Sequence, residues 1–161
     1  MALRDPVRDF LRHTLATIAY RAAKAERDAD PGFAEFQIGH GARTPVQLVS
    51  HMADLFDWAL GLVNGKGDYK QSAPQQWRRE VARFHASLEA LDVFLASDEP
   101  LGIGAEKLFQ APIADSLTHV GQLAMLRRLA DAPVRSESFA RSDIVAGRLG
   151  TEQTKSQFEF D

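Results

Sequence analysis

The sequence of 161 residues contains no cysteine. This absence excludes disulfide bonds, thiolate metal ligands and a cysteine nucleophile in one step. It also fits a reducing compartment, in which disulfides are rare. Any metal ligands must therefore come from nitrogen and oxygen side chains.

Two further features are missing, an excess of positive charge and a long apolar run. Lysine and arginine number 19 against 22 acidic residues, so nothing in the charge points to nucleic acid or an anionic membrane. No apolar run approaches the ~20 residues that span a bilayer. The opening MALRDPVRDF carries charges early and no apolar segment follows it, so no secretory signal is predicted. We expect a cytoplasmic protein that binds neither nucleic acid nor membrane.

The composition that remains is that of an ordinary globular protein, with 45% hydrophobic and 25% charged residues. The length is sufficient for one domain with a real core and too short for two comfortable ones. We predict a single domain over residues 1–150, followed by a loose C-terminal tail over residues 151–161.

Four stretches repeat apolar residues at helical spacing, and no stretch alternates convincingly enough to predict a strand. The first two begin with a capping residue followed by proline, at Asp5-Pro6 and Thr44-Pro45. The predicted helices cover residues 5–29, 44–64, 74–96 and 112–130. An irregular cover is expected beyond residue 134. Four amphipathic helices joined by modest links predict an all-α four-helix bundle.

Polar residues on apolar helix faces are the most informative feature. His51 lies within the apolar arc of the second helix, and His119 shares a face of the fourth helix with Leu123. Asp115 precedes His119 by four residues and therefore projects from the same face. Gln122 follows on that side and is a candidate to support the ligands. A carboxylate aimed at a core is costly unless a partner such as a divalent ion compensates for its burial.

Two imidazoles and one carboxylate suit zinc, nickel or iron(II) better than magnesium or calcium. Three such ligands leave a position open for water or a substrate. A purely structural alternative uses the same residues. Asp115 and His119 would form a buried hydrogen-bonded pair, or Asp115 would be a first-turn acid that suits the helix dipole. Spacing alone leaves the metal site and this alternative open.

Other polar and aromatic residues are predicted to lie on the surface or to serve packing. We expect these side chains to be solvated: His13, His40, His85, Asp54 and Asp57. Trp58 and Trp77 are expected to pack in the core or in a groove. Arg127 and Arg128 end the fourth helix, where cations suit the helix dipole, so a structural role is predicted for them.

Two sequence runs resemble the signatures of DinB/YfiT-like proteins. The run TPVQLVSHM at residues 44–52 resembles their second helix, in which a histidine follows a threonine-proline opening and an apolar turn. The run DSLTHVGQL at residues 115–123 resembles their other signature, which is a ligand, three residues, a histidine, one residue and then Gly-Gln. The order of the helices and the loop before Pro112 are also similar. The resemblance covers about residues 5–134 and, more loosely, residues up to 149.

This resemblance implies a four-helix bundle of up-down-down-up order with three metal ligands in a cleft between helices. The matching positions are His51, Asp115 and His119. Many members have a third histidine where this chain has Asp115. Members similar to the mycothiol-dependent maleylpyruvate isomerases have a carboxylate there, usually glutamate. A homodimer is expected from the resemblance, and also because the first two helices carry more apolar surface than one core seam requires.

Characterised relatives in that family use the metal to activate a low-molecular-weight thiol, in S-transfer or in thiol-dependent isomerisation. The resemblance therefore implies a metal-dependent enzyme for a small-molecule substrate, with zinc, nickel or iron and a thiol cosubstrate. Two alternatives stay open. One is a hydrolase in which the metal activates water, and the other is a non-catalytic bundle that binds a ligand or partner. No general base stands out, because Gln122 cannot titrate and His40 lies in a glycine-flanked loop.

Overall fold

The computed structural model describes residues 5–160, and these form a mainly helical chain, as predicted. The helices are α1 (Pro6–Glu26), α2 (Pro45–Val63), α3 (Trp77–Ala96), the single turn α4 (Ala105–Leu108) and α5 (Ala114–Leu129). Short 3-10 turns cover Pro31–Glu35 and Phe139–Arg141, and a π-helical turn, Phe109–Ile113, joins α4 to α5. Two strands that were not predicted, β1 (Ser136–Glu137) and β2 (Glu159–Phe160), pair in an antiparallel ladder. Within the described residues, none of the helices combines the length and the apolar character that crossing a membrane requires.

The first two helices begin where the cap-and-proline signals predict. The Asp5 carboxylate accepts hydrogen bonds from the first free backbone N–H groups of α1. Thr44 and Gln47 form a reciprocal capping box at the start of α2, in which the Gln47 side chain accepts from the Thr44 N–H at 2.9 Å. These caps fix the start of the helix that carries His51.

The four long helices share one apolar core. The helix α1 packs against α3 and α5, and α2 packs against the same two helices. Burial of each large apolar side chain contributes roughly 1.5–3 kcal/mol. Fully buried members from all four helices are Leu15, Ile18, Met52, Phe56, Phe84, Leu88, Leu91 and Leu123. This arrangement is consistent with the helical bundle that the periodicity predicts.

The last long helix begins earlier than its proline suggests. The sequence predicts that a helix opens at Pro112, but the backbone is already helical in α4, and Pro112 lies inside the π-helical turn. Proline has no N–H to give to the preceding turn, so the regular hydrogen-bond ladder is interrupted there. The wider π turn accommodates the interruption and lets the chain continue directly into α5.

The C-terminal segment is held more firmly than the predicted loose tail. Strand β2 pairs with β1, and Lys24 Nζ lies 2.8 Å from Glu137 Oε2 and 2.6 Å from Glu159 Oε1. Tyr20 donates its hydroxyl hydrogen to the buried Glu137. Hydrogen bonds to Lys24, Ser142 and Tyr20 overcome the effect of burial and lower the pKa of Glu137 to about 2. Ion pairs of this kind leave no trace in hydrophobic periodicity. Asp161 lies outside the described residues.

His85 is buried, which contradicts the prediction that it is solvated. Only 4% of the residue is exposed. Its Nε2 lies 2.8 Å from Glu26 Oε2 on α1, and its Nδ1 lies 2.5 Å from the carbonyl oxygen of Leu149. Leu149 is itself buried. The irregular C-terminal segment thus covers a position that the helical pattern of α3 alone places at the edge of the apolar stripe.

This contact makes part of the stability depend on pH. Burial lowers the pKa of His85, but the hydrogen bond and charge of Glu26 and the Leu149 carbonyl outweigh burial and raise the pKa above its ordinary value of 6.5. A raised pKa in the folded state means that this contribution is fully present below pH 6.5 and is lost as the pH rises through the folded-state pKa.

We expect His85→Gln to destabilise the protein by about 1–3 kcal/mol near pH 5.5 and by less near pH 9. Urea unfolding at both pH values measures the difference. The exposed His13 supplies the matched control, since His13→Gln should have little effect at either pH. An equal loss of stability at both pH values would show that the interaction does not depend on a charged His85.

Candidate metal centre

The structure brings together the three side chains that the sequence singles out. His51 lies on α2, and Asp115 and His119 lie one turn apart on α5. His51 Nε2 lies 3.6 Å from Asp115 Oδ2, and His119 Nε2 lies 3.3 Å from Asp115 Oδ1. The two imidazole rings have centroids 4.8 Å apart and planes at 77°. The two histidines, which the sequence places on apolar helix faces, thus face each other between α2 and α5.

The cluster is buried at its histidines and open at its carboxylate. The side chains of His51 and His119 are 16% and 8% exposed, whereas that of Asp115 is 46% exposed. The sequence predicts a carboxylate aimed at the core, and the structure places it at the mouth instead. Solvent and small molecules therefore reach the cluster from the Asp115 side.

Each histidine has a partner on its outer ring nitrogen. His119 Nδ1 lies 2.8 Å from Gln122 Oε1, and His51 Nδ1 lies 2.9 Å from the hydroxyl oxygen of Tyr69. An amide oxygen only accepts, so His119 donates from Nδ1, and Nε2 is the nitrogen that faces the cluster. Metal-binding histidines are held in this way. The structure places Gln122 in the supporting position that its spacing predicts, whereas Tyr69 was not foreseen.

The electrostatic surroundings favour a neutral His51. Burial, the charge of Arg43 and the neighbouring His119 together lower the pKa of His51, and they outweigh the opposite effect of Asp115. A neutral imidazole is the form that binds a metal. Burial also raises the pKa of Tyr69 above 10, so its hydroxyl keeps its proton at neutral pH.

The separations of the three ligand atoms fit a divalent ion. Zinc binds nitrogen and oxygen at about 2.0–2.2 Å, so two ligand atoms on one tetrahedral ion are about 3.4 Å apart. The separations from His51 Nε2 to Asp115 Oδ2, 3.6 Å, and from His119 Nε2 to Asp115 Oδ1, 3.3 Å, are close to that value. They are longer than the usual N–H···O distance of about 2.9–3.0 Å. Because all three ligand atoms lie within 4.8 Å of one another, the cluster could hold a metal ion after a small side-chain adjustment.

Tyr69 reaches His51 because the segment between α2 and α3 is tied down on both sides of it. Trp58 on α2 donates its indole N–H to the carbonyl oxygen of Gly67 at 3.0 Å. Ser72 donates its backbone N–H to Asp54 Oδ2 at 2.8 Å. The ring of Tyr69 meets both Trp58 and His51 edge-on. The segment therefore presents the Tyr69 hydroxyl to the metal centre from a fixed position.

Asp54 is buried, which contradicts the prediction that it is solvated; only 3% of the residue is exposed. Its Oδ1 lies 2.9 Å from Arg83 on α3. Arg83 also lies 2.9 Å from the fully buried Glu80 and donates to the carbonyl oxygen of Ser50. Asp57, in contrast, has a side chain that is 58% exposed, and it too lies near Arg83. The polar stripe of α2 thus faces Arg83 of α3, which buries Asp54 and leaves Asp57 exposed.

Three features near the centre were missed from the sequence. Tyr69 and Arg43 lie in irregular segments, where periodicity gives no information about direction. The Asp54–Arg83 pair did leave a signal in the sequence. The polar stripe of the second predicted helix carries acids and the third carries an arginine, and these can pair when the two helices are adjacent. Of the other histidines, His13 and His40 are exposed and neither belongs to the cluster.

In comparisons with known proteins, no family model, no curated protein and no solved structure matches this chain. The arrangement of the side chains is therefore the basis for a functional assignment.

The ligand set makes a prediction for metal titration. Replacing Asp115 by Ala should weaken zinc binding strongly, because a whole ligand and its charge are lost, whereas Asp115→His should restore much of the affinity. Gln122→Leu should have a smaller effect of about 10–100-fold, because it removes only the partner of His119. Calorimetric titration of zinc and nickel into chelator-stripped protein measures all four proteins.

His13→Ala is the matched control for adventitious binding, since it removes an exposed histidine away from the cluster. It should bind zinc as the wild type does. Negligible heats for wild type and every variant would establish the hydrogen-bonded alternative for Asp115 and His119. In that case Asp115→Ala would change only stability, by about 1–3 kcal/mol.

Proposed function

We propose that this chain is a metal-dependent enzyme of the DinB/YfiT-like kind that acts on a small molecule together with a low-molecular-weight thiol. The proposal includes the up-down-down-up order of helices, with His51, Asp115 and His119 as ligands of one zinc, nickel or iron ion. The two sequence signatures support the family, and the helical architecture is compatible with it. A cytoplasmic location is part of the same proposal.

The observation that carries the proposal is the orientation of both imidazoles. Each histidine turns Nε2 towards Asp115 and has its Nδ1 held by another side chain, His119 by Gln122 and His51 by Tyr69. A structural histidine needs no such paired arrangement around a common point. Outer partners of this kind fix the ring orientation and keep Nε2 free for a ligand bond.

A divalent ion bound there would lower the pKa of a thiol or water in its open position. The chain's own residues have separate tasks. His51 and His119 supply neutral donors, and Asp115 supplies one negative charge at the accessible side of the centre. Tyr69 keeps its proton, and its hydroxyl oxygen accepts from His51 Nδ1–H when Nε2 is the ligand atom, so Tyr69 positions the ring rather than acting as a base.

The absence of a further titratable group from the cluster is compatible with a thiol that the metal itself deprotonates. In the described part of the chain, the cluster contains no further histidine, aspartate or glutamate beyond the three ligands. A thiol that binds a metal loses its proton outright and needs no separate base. A chain without cysteine cannot provide that thiol itself, so it must enter as a cosubstrate.

An activity screen with zinc- and nickel-loaded protein tests the proposal. One arm offers cysteine, glutathione and other small thiols with a chromogenic aryl halide, and the other offers a nitrophenyl ester without thiol. We expect turnover only in the thiol arm, with Asp115→Ala inactive and His13→Ala unchanged. Turnover of the ester without thiol would establish a hydrolase. Absence of turnover in both arms with metal bound would contradict an enzymatic role.

We also propose a homodimer that forms through α1. Val7 and Phe10 on α1 are 48% and 62% exposed, whereas no large apolar side chain of α2 is among the exposed ones in the described chain. The exposed apolar surface that the sequence predicts on the first two helices is thus found on α1 and not on α2. Light scattering should give twice the 17.8 kDa of one chain, and Phe10→Glu should give a monomer. A wild-type mass of one chain at micromolar concentration would exclude the dimer.

A further inference from the structure

A cavity of about 580 Å³ lies beside the metal centre. Gln122 is part of its wall and links it to the centre, because the same side chain accepts the hydrogen bond from His119. The rest of the wall is mainly apolar. Ile38, Met125 and Leu129 line it, and they are 41%, 56% and 50% exposed. The volume is within the usual range of small-molecule sites, which is about 300–1,000 Å³.

Arg43 is the charged group of this cavity. It also lines a smaller cavity of about 240 Å³ that contains His51, so it lies between the metal centre and the apolar wall. Across residues 5–160, no carboxylate lies within ion-pair distance of Arg43, and no hydrogen bond occupies its guanidinium group. Arg83, which also contacts α2, is instead paired with Asp54 and Glu80.

An unpaired guanidinium is an unfavourable neighbour for a divalent cation. Two neutral imidazoles and one carboxylate compensate only one of the two positive charges of such an ion, and Arg43 adds a third. An anion that binds between them would remove the repulsion. A guanidinium group binds a carboxylate in a bidentate manner, which combines charge with a fixed direction.

We propose that the cavity binds the substrate of this centre and that the substrate is an organic acid with an apolar body. Its carboxylate pairs with Arg43, and its apolar part lies against Ile38, Met125 and Leu129. The role of this acid as a substrate rests on the proposed function. The binding itself depends only on Arg43 and the apolar wall.

Octanoate is a suitable probe, with octylamine and octanol as ligands of the same length that lack the negative charge. Each is titrated by calorimetry into the full chain, first stripped of metal and then loaded with zinc. We expect octanoate to bind more tightly than the other two in both forms, and more tightly with zinc than without.

Two variants locate the site. Arg43→Gln should weaken octanoate binding by about tenfold or more, because a charge-assisted hydrogen-bond pair is lost. Leu129→Glu should weaken it similarly, since it places a negative charge on the apolar wall. Arg128→Gln is the matched control, because Arg128 directly precedes Leu129 in the sequence but lines a different cavity. It should bind octanoate as the wild type does. Circular dichroism of each variant verifies that it is folded.

The outcomes separate this inference from the metal assignment. Zinc binding without a preference for octanoate would overturn the substrate class and leave the metal centre intact. Octanoate binding that depends on Arg43 in a protein that binds no zinc would overturn the metal centre alone. If Leu129→Glu converts a wild-type dimer to a monomer and octanoate does not bind, a second copy of the chain covers the cavity and the proposal is wrong.

Discussion

The geometry of the candidate metal centre depends on one arginine that pairs with two buried carboxylates. Asp54 on α2 and Glu80 on α3 are almost completely buried, and each lies 2.9 Å from Arg83. Unpaired, either carboxylate would be too costly to bury. Paired, they keep two further oxygen atoms for backbone groups, and these accept from Ser72 and Gln75. One ion-pair cluster thereby joins two helices and anchors the segment between them.

The anchored segment links this cluster to the chemistry of the centre. Tyr69 lies between the two tie points of the segment, and its hydroxyl group fixes the orientation of His51. On the opposite side, the π-helical turn determines which face α5 presents. Each residue rotates a helix by about 100°, so the additional residue of a π turn redirects the face of α5 relative to α4. Asp115 and His119 follow this turn immediately and share the redirected face.

The sequence predicts the elements whose apolar residues recur at regular spacing, and it does not predict the irregular segments. Apolar spacing and caps are local properties, so four long helices and the starts of α1 and α2 follow from them. The i, i+4 spacing of Asp115 and His119 is also local, and the inward position of His51 follows from the apolar arc. Burial of His85 depends on a segment more than sixty residues away, at Leu149. Tyr69 and Arg43 lie in segments without periodicity, and the segment of Tyr69 is positioned by hydrogen bonds to Trp58 and Asp54 on α2.

The charges around the centre form a graded arrangement. Asp54 and Glu80 each have one oxygen paired with Arg83 and the other accepting from a backbone N–H, so they hold structure and are not available to a ligand. Asp115 is half exposed and contacts only two imidazoles, so its charge remains available for an ion. Arg43, which lies just before α2, is exposed and pairs with no carboxylate of residues 5–160. Its charge is therefore available to a ligand that enters from solvent. The number of partners on each charged group therefore decreases from the buried Asp54 and Glu80 to the more exposed Asp115 and Arg43.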